Sequence, residues 1–293
     1  MKKAHKAGFV SIVGKPNVGK STLMNRLVGE NLSIISPKAQ TTRHRIMGML
    51  NTDDYQIVYS DTPGILEPRY ALHEAMMNYV KVSLQDADVI LLVIEYGEKF
   101  DQAVHERFKS IAAPILLLVN KVDKLPGADR HEITEYWSQG LPAIKILPVS
   151  AMSGENVDAI LPALLDLLPV HPPYFPKDDL TNRSERFFAA EIIREKVFTN
   201  YSQEIPYSTE VGIEDFKDEE KILRIRATLF VERDSQKGIL IGKGGAALKK
   251  VGTEARTDME QFFGKKVFLE THVKVAADWR KQKEKLRLFG YLE

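Results

Sequence analysis

"GKPNVGKS", Gly14 to Ser21, fits the pattern G-x-x-x-x-G-K-[ST], and its surroundings decide the fold. An apolar stretch, "AGFVSIV", runs up to it and reads as a buried strand; Lys20–Val28 after it reads as a helix. Strand, glycine loop and helix in that order form the context this loop requires. Glycines bring backbone N–H groups up to phosphate oxygens at a helix N-terminus, where the helix dipole favours negative charge. Lys20 is expected to reach the β- and γ-phosphates of a nucleotide, and the Ser21 hydroxyl to sit on Mg²⁺.

Working outward, "YQIVYSD", "DVILLVIE", "PILLLVN" and "AIKILPVS" also read as strands buried on both faces, and amphipathic segments such as Tyr70–Leu84 and Asn156–Leu168 lie between them. This alternation predicts an α/β domain with a mostly parallel sheet covered by helices. "PVHPPYFPKDD" then puts four prolines within Pro169–Pro176, a density that cannot continue a helix and favours an extended spacer. Beyond it the order is α-β-β-α-turn-α-β, the pattern of a small α+β domain. The expected boundaries are 1–171 for the first domain, 172–181 for a proline-rich linker and 182–293 for the second.

Three further motifs, each at the end of a predicted strand, narrow the chemistry. "DTPG", Asp61 to Gly64, supplies a carboxylate for the metal and a glycine amide able to sense a γ-phosphate. "NKVD", Asn120 to Asp123, ends in a carboxylate that can accept from the N1–H and 2-amino group of guanine. Adenine has no such donor pair, and discrimination by a site of this kind approaches about 10⁴–10⁵-fold. "SAMSG" begins at Ser150, and the Ala151 amide can donate to guanine O6. Ligands of open α/β sheets gather at the carboxyl ends of strands, where all four motifs fall. A kinase or ATPase would not need "NKVD", so the reading is a guanine-nucleotide site.

"SPKAQTTRHR", Ser36 to Arg45, lies between the first loop and "DTPG" and lacks apolar periodicity. It can present a threonine hydroxyl to Mg²⁺ when a γ-phosphate is bound and relax afterwards; Thr42 is preferred over Thr41. Ile65 stands where Ras-like GTPases use a glutamine to orient water, so intrinsic hydrolysis is expected to be slow. Asn17 is a candidate to help bind a monovalent cation, K⁺, as its counterpart does in related GTPases.

A second glycine turn, "GILIGKGGAALKK", lacks the G-K-[ST] ending. Gly242 and Gly245 make a G-x-x-G turn between two helical runs, the backbone clamp of KH domains, which holds about four nucleotides of RNA. The candidate RNA contacts are Gly242, Lys243, Gly244 and Gly245, with Lys249 and Lys250 on the following helix. Ile239 and Ile241 would line an apolar groove, and Arg224 and Arg226 sit on a neighbouring predicted strand. From Lys221 to Glu293 there are 17 Lys and Arg against 9 Asp and Glu, although the whole chain carries only +1. Such local basicity fits a polyanion-binding face. The acidic run Glu214–Glu220 is expected at a hairpin tip.

Taken together, "GKPNVGKS", "KAQTTRHRI", "DTPG", "NKVD", "SAMSG" and "GILIGKGGAALKKVGTEAR" closely resemble the Era GTPases, along nearly the whole chain. The resemblance implies a Ras-like P-loop GTPase domain joined to a type II KH domain. It also implies binding near the 3′ end of 16S ribosomal RNA and help in maturing the 30S subunit. It assigns nucleotide contacts to Gly14, Lys15, Pro16, Asn17, Val18, Gly19, Lys20, Ser21 and Thr22 in the first loop. Asp61, Thr62, Pro63, Gly64 and Ile65 follow, then Asn120, Lys121, Val122 and Asp123, and last Ser150 and Ala151. Lys20, Thr42 and Gly64 would act in catalysis, Ser21, Thr42 and Asp61 would hold Mg²⁺, and GTP and GDP would be the ligands. The alternative is an RNA-binding scaffold with a vestigial nucleotide site, against which the complete Lys20, Ser21 and Asp61 set argues. Some Era proteins associate peripherally with the inner membrane, but no amphipathic anchor is evident here; a monomer is expected.

The chain has no cysteine, which excludes a disulfide framework and fits a reducing compartment. "MKKAHKAGFVSIVG" imitates a signal peptide, but its apolar run stops at Gly14 with no small-residue cleavage site. "VILLVI" and "PILLLV" fall far short of the roughly 20 residues a membrane span needs. The expectation is a cytoplasmic protein.

Overall fold

Uninterrupted Val, Ile and Leu mark strands with both faces covered, and the computed structural model builds its first sheet from them. It describes residues 4–98, 108, 111–124, 130–138 and 143–292. In chain order come β1 (Lys6–Val13), α1 (Lys20–Val28), β2 (Ile46–Asn51), β3 (Tyr55–Asp61), α2 (Ala71–Asp86), β4 (Val89–Glu95), β5 (Ile115–Asn120), α3 (Arg130–Ser138), β6 (Lys145–Pro148) and α4 (Ile160–Leu167). The strands lie in the order β2-β3-β1-β4-β5-β6, with only β2 antiparallel to its neighbour. Every residue of β5 is buried. The loops after β1, β3, β5 and β6 leave from the same, carboxyl edge of this parallel array, with Asp61 and Asn120 as the last residues of their strands.

The chain forms two compact units. One comprises Met1–Ile35, Thr42–Glu67 and Met76–Asn182 as far as they are described; the other joins Arg183–Glu293 to two short segments, Ser36–Thr41 and Pro68–Ala75. Two features of the first unit depart from the sequence reading. β2, "IMGMLN", was not anticipated because methionine, glycine and asparagine give no strand signal. The proline-rich stretch is no free spacer. Its carbonyls accept from the open edge of β2 and from β3: Met49 N–H donates to the Leu180 carbonyl (2.9 Å), Asn51 Nδ2 to Asp179 (2.9 Å) and Gln56 Nε2 to Phe175 (2.9 Å). Proline has no N–H to offer but keeps its neighbours extended, which suits a strap that covers a sheet edge.

The second unit continues with α5 (Glu185–Asn200), α6 (Ile205–Ser208), β7 (Glu210–Asp218), β8 (Ile222–Val231), α7 (Asp234–Ile241), α8 (Ala246–Phe263), β9 (Lys266–Val275) and α9 (Lys283–Leu288). The Ser184 side chain caps α5 by accepting from the Phe187 N–H. The sheet order is β7-β8-β9, with β9 parallel to β8 and β7 antiparallel. Ile193 and Val197 of α5 and Val251, Ala255 and Met259 of α8 pack on Leu223, Ile225, Ala227 and Leu229 of β8. This is the α-β-β-α-α-β order of a type II KH domain. The basic C-terminal stretch is anchored, because Trp279, Leu286 and Tyr291 are buried and Trp279 Nε1 donates to the Ser208 carbonyl at 2.8 Å. Among the described residues no helix is long and apolar enough to cross a membrane.

Candidate functional site

At the carboxyl edge of the first sheet, Lys20 opens α1 and is buried. Its ammonium donates to the carbonyls of Lys15 (2.8 Å) and Gly14 (3.1 Å). Burial pushes its pKa down to about 8, against the attraction of Asp61. A buried ammonium gains most from an anion beside it, which is what a phosphate provides. Gly64 comes so close to this loop that a Cβ there would lie 2.7 Å from the Cα of Pro16, so no side chain fits. The Ile65 N–H donates to the Gly14 carbonyl at 3.0 Å, and the Ile65 side chain packs into the apolar core.

Ser21, Thr42 and Asp61 converge beside Lys20. Ser21 Oγ donates to Asp61 Oδ2 at 2.7 Å and lies 2.9 Å from Thr42 Oγ1, which is 3.4 Å from the same carboxylate oxygen. Among the described residues, Asp61 Oδ1 is buried without a hydrogen-bond partner. Burial pushes the Asp61 carboxyl above the usual carboxylate range, against the pull of Lys20 and the hydroxyls of Ser21, Ser33 and Thr42. One buried carboxylate and two hydroxyls are hard oxygen donors of the kind Mg²⁺ takes. Of the two adjacent threonines, Thr42 joins this cluster; the Thr41 hydroxyl donates to the Lys38 carbonyl at 2.7 Å.

Asn120 is 2 % exposed and does not point its amide freely at a base. Its Nδ2 donates to the Val18 carbonyl (2.7 Å) and its Oδ1 accepts from the Ala151 N–H (2.8 Å), so it staples "GKPNVGKS" to "SAMSG". Gly19 lies against it, where a Cβ would come within 2.2 Å of Nδ2. Donation from Ala151 to guanine O6 therefore requires that N–H to be shared or exchanged. Asp123 remains exposed at the mouth, with Oδ1 accepting from Ser150 Oγ at 2.5 Å.

Two supporting residues escaped the sequence reading. Arg26 donates to the carbonyls of Ala151 and Met152, both at 2.7 Å, and holds the "SAMSG" loop. Glu95 accepts from Lys121 (2.7 Å) and Lys124 (3.2 Å) on either side of Val122 and Asp123. Burial alone would raise the Glu95 carboxyl, but the two lysines outweigh it and hold it below the usual range. Neither residue lies in a motif, so only the fold reveals them.

In the second unit, Gly242, Gly244 and Gly245 all have positive φ, and the turn they make joins α7 to α8. Gly244 and Gly245 have nothing within 4 Å of where a Cβ would sit, so this backbone faces open space. Tyr201 secures the turn from behind by donating to the Leu240 carbonyl at 2.6 Å. Lys243 and Lys249 are exposed, and neither forms an ion pair among the described residues; Lys250 lies 3.8 Å from Glu254. Ile239 is 51 % exposed beside the turn, while Ile241 is half-buried.

Arg224 and Arg226 do not join this group, which corrects their grouping with the turn. They alternate along β8 with Leu223, Ile225 and Ala227, which face the helices, and so lie on the opposite side of the sheet from α7 and α8. There they pair with Glu219 (3.1 Å) and Asp215 (3.4 Å), while Lys265 and Lys274 pair with Asp218 (2.6 Å) and Glu214 (2.7 Å). The acidic hairpin thus neutralises much of the basic count across the sheet. Among the described residues, Lys243 and Lys249 at the glycine turn are left without an ion pair.

A family described as 50S ribosome-binding GTPase matches residues 9–121, and a KH domain family matches residues 204–280. The GTPase Era of Staphylococcus haemolyticus is 43% identical over 294 residues, covering 99% of this chain and 98% of that protein. The chain belongs to the Era GTPase family. Among solved structures, Aquifex aeolicus Era bound to GDP and AlF₄⁻ superposes with a TM-score of 0.94 at 41% identity, covering 98% of this chain and 100% of that one. An Era in complex with MgGDPNP and nucleotides 1506–1542 of 16S ribosomal RNA gives 0.92 at 39% identity, covering 99% and 100%. The sequence thus has Era relatives that match both units of the fold in one alignment.

Proposed function

We propose that this Era-family chain is a GTP-hydrolysing switch that takes the 3′ end of 16S ribosomal RNA on its KH domain and assists assembly of the small subunit. The convergence of Ser21, Thr42 and Asp61 beside the buried Lys20 carries the reading. In it, Ser21 and Thr42 hold Mg²⁺, with Asp61 polarising that shell; bound there, the ion would neutralise charge developing between the β- and γ-phosphates. Lys20 counters the same charge from the other side. The Gly64 amide is positioned by its contact with Pro16 to register a γ-phosphate. Asp123 selects guanine, Asn120 keeps the loops around it together, and the aliphatic Ile65 leaves water without a side-chain partner at that position, so turnover is slow. RNA is clamped at Gly242–Gly245 with Lys243 and Lys249, beside Ile239. The solved complexes of Era with MgGDPNP and 16S nucleotides, and with GDP and AlF₄⁻, support both halves.

The test uses the full chain in Mg²⁺ with GTP or ATP, and a ribosomal oligonucleotide matching the 3′ end. Slow hydrolysis of GTP but not ATP, together with oligonucleotide binding, is expected. Equal use of ATP, or failure of the oligonucleotide to bind in every nucleotide state, would contradict the reading.

A further inference from the structure

The hydroxyl of Ser33 is buried beside the metal-site carboxyl, and the fold makes no use of it. Ser33 is 6 % exposed, and among the described residues its Oγ closes no hydrogen bond. It stands close enough to Asp61 to join Lys20, Ser21 and Thr42 in pulling that carboxyl down against burial. Asp61 Oδ1 is a second buried oxygen left without a partner among the described residues. Ser33 and Asp61 belong to the same compact unit, as do Ser21 and Thr42.

The place of Ser33 is fixed by α1, the helix that Lys20 and Ser21 open. Gly29, with φ of 86°, ends α1, and its N–H donates to the Asn25 carbonyl at 2.8 Å. The buried Asn25 side chain then receives the chain beyond it. Its Oδ1 accepts from the N–H groups of Leu32 (3.1 Å) and Ser33 (2.9 Å), and its Nδ2 donates to the Ser33 carbonyl (2.8 Å). The main chain of Ser33 is thus paired on both sides, and only its hydroxyl is left over. Asn25 follows Ser21 by four residues, so both side chains leave the same face of α1. A hydroxyl taken out of water without a partner costs stability, and one kept so in a native fold points to a bound partner.

We propose that Ser33 is a further positioning residue of the metal site: its hydroxyl and Asp61 Oδ1 together accept the hydrogens of water carried by Mg²⁺. This rests on assigning Ser21 and Asp61 to the metal. Mg²⁺ gives up its waters reluctantly and usually keeps several, so a site for it needs acceptors for their hydrogens as well as direct ligands. Because Asn25 ties Ser33 to the helix that carries Ser21, the hold depends neither on Thr42 nor on a γ-phosphate. Ser33 therefore helps to retain Mg²⁺ in the GDP state as well as in the GTP state.

The experiment loads the full-length protein with fluorescent GDP and titrates Mg²⁺, reading its apparent affinity from the slowing of GDP release. GDP affinity in EDTA and thermal unfolding without nucleotide are measured beside it. Ser33→Ala should weaken Mg²⁺ about three- to tenfold, the worth of one neutral hydrogen bond, and leave both of the other readings unchanged. Asp61→Asn should weaken Mg²⁺ by at least about tenfold, since a charged acceptor is lost. In the double variant the two losses should fall short of additive, because both act on one water. Unaltered Mg²⁺ affinity in Ser33→Ala, an equal loss of GDP affinity in EDTA, or full additivity with Asp61→Asn would overturn the role of Ser33. Unaltered Mg²⁺ affinity in Asp61→Asn would instead overturn the metal assignment beneath it.

Discussion

Replacing Asn120 by alanine removes a side chain that is almost wholly buried and joins two loops. Two hydrogen bonds disappear, Nδ2 to the Val18 carbonyl at 2.7 Å and the Ala151 N–H to Oδ1 at 2.8 Å. A buried donor or acceptor left unmade costs about 1–3 kcal/mol, so the sum lies at about 2–6 kcal/mol. Water can reach the Ala151 amide once the loop relaxes, which favours the lower end, about 2–3 kcal/mol. As an affinity this is about 30- to 150-fold. Fluorescent GDP titration, paired with thermal unfolding, would measure how the cost divides between binding and stability. If Asn120 acts as a staple, GDP and XDP affinities should fall in parallel, since both purines use the same loops. Asn120→Asp should do at least as much damage, because it sets a carboxylate oxygen against the Val18 carbonyl. A change in the GDP-to-XDP ratio with thermal stability intact would refute the staple and restore a direct base contact.

Other consequences follow from neighbouring geometry. Asp123→Asn should shift preference from guanine toward xanthine nucleotides by at least about a hundredfold, because it reverses the donor pattern offered to the base, and competition binding would read it. Arg26→Ala removes both bonds to the Ala151 and Met152 carbonyls and should weaken GDP about three- to tenfold without altering base preference. Gly245→Asp meets no atom within 4 Å, so its folding cost is only the left-handed φ of +79°, about 1–2 kcal/mol. Its charge, set among Lys243, Lys249 and the incoming phosphates, should still lower RNA affinity at least about tenfold and leave GDP binding unchanged. Anisotropy titrations at two salt concentrations would separate the lost affinity from general screening.

The nucleotide motifs were legible because each is a short, local necessity: a turn that must leave a strand, bring amides or a carboxylate to one edge, and admit a ligand. Gly19, Lys20, Asp61 and Asp123 carry that information in their own identities. Asn120 sits in a legible motif, yet its work is with residues 102 and 31 positions away, and no local pattern encodes such partners. Arg26 and Glu95 are ordinary charged residues until the fold brings loops to them. The side of the sheet taken by Arg224 and Arg226 is legible in "LRIRA", Leu223 to Ala227, whose alternation places the arginines on the face opposite Leu223 and Ile225. Basicity misled for a related reason: charges were summed along the chain, whereas Asp215, Asp218 and Glu219 cancel theirs across a sheet. The folding of Ser36–Thr41 with residues more than 140 positions later has no signal in one sequence.

Simultaneous occupancy tests the account most directly. Calorimetry on nucleotide-free protein would titrate GTP analogue with Mg²⁺, then a 16S 3′-end oligonucleotide into the loaded protein, and repeat the order reversed. Two independent sites predict about one equivalent of each in either order. Displacement of one ligand by the other would mean that a single surface serves both, contrary to the assignment of nucleotide to Lys20 and Asp123 in one unit and of RNA to the turn at Gly242 in the other.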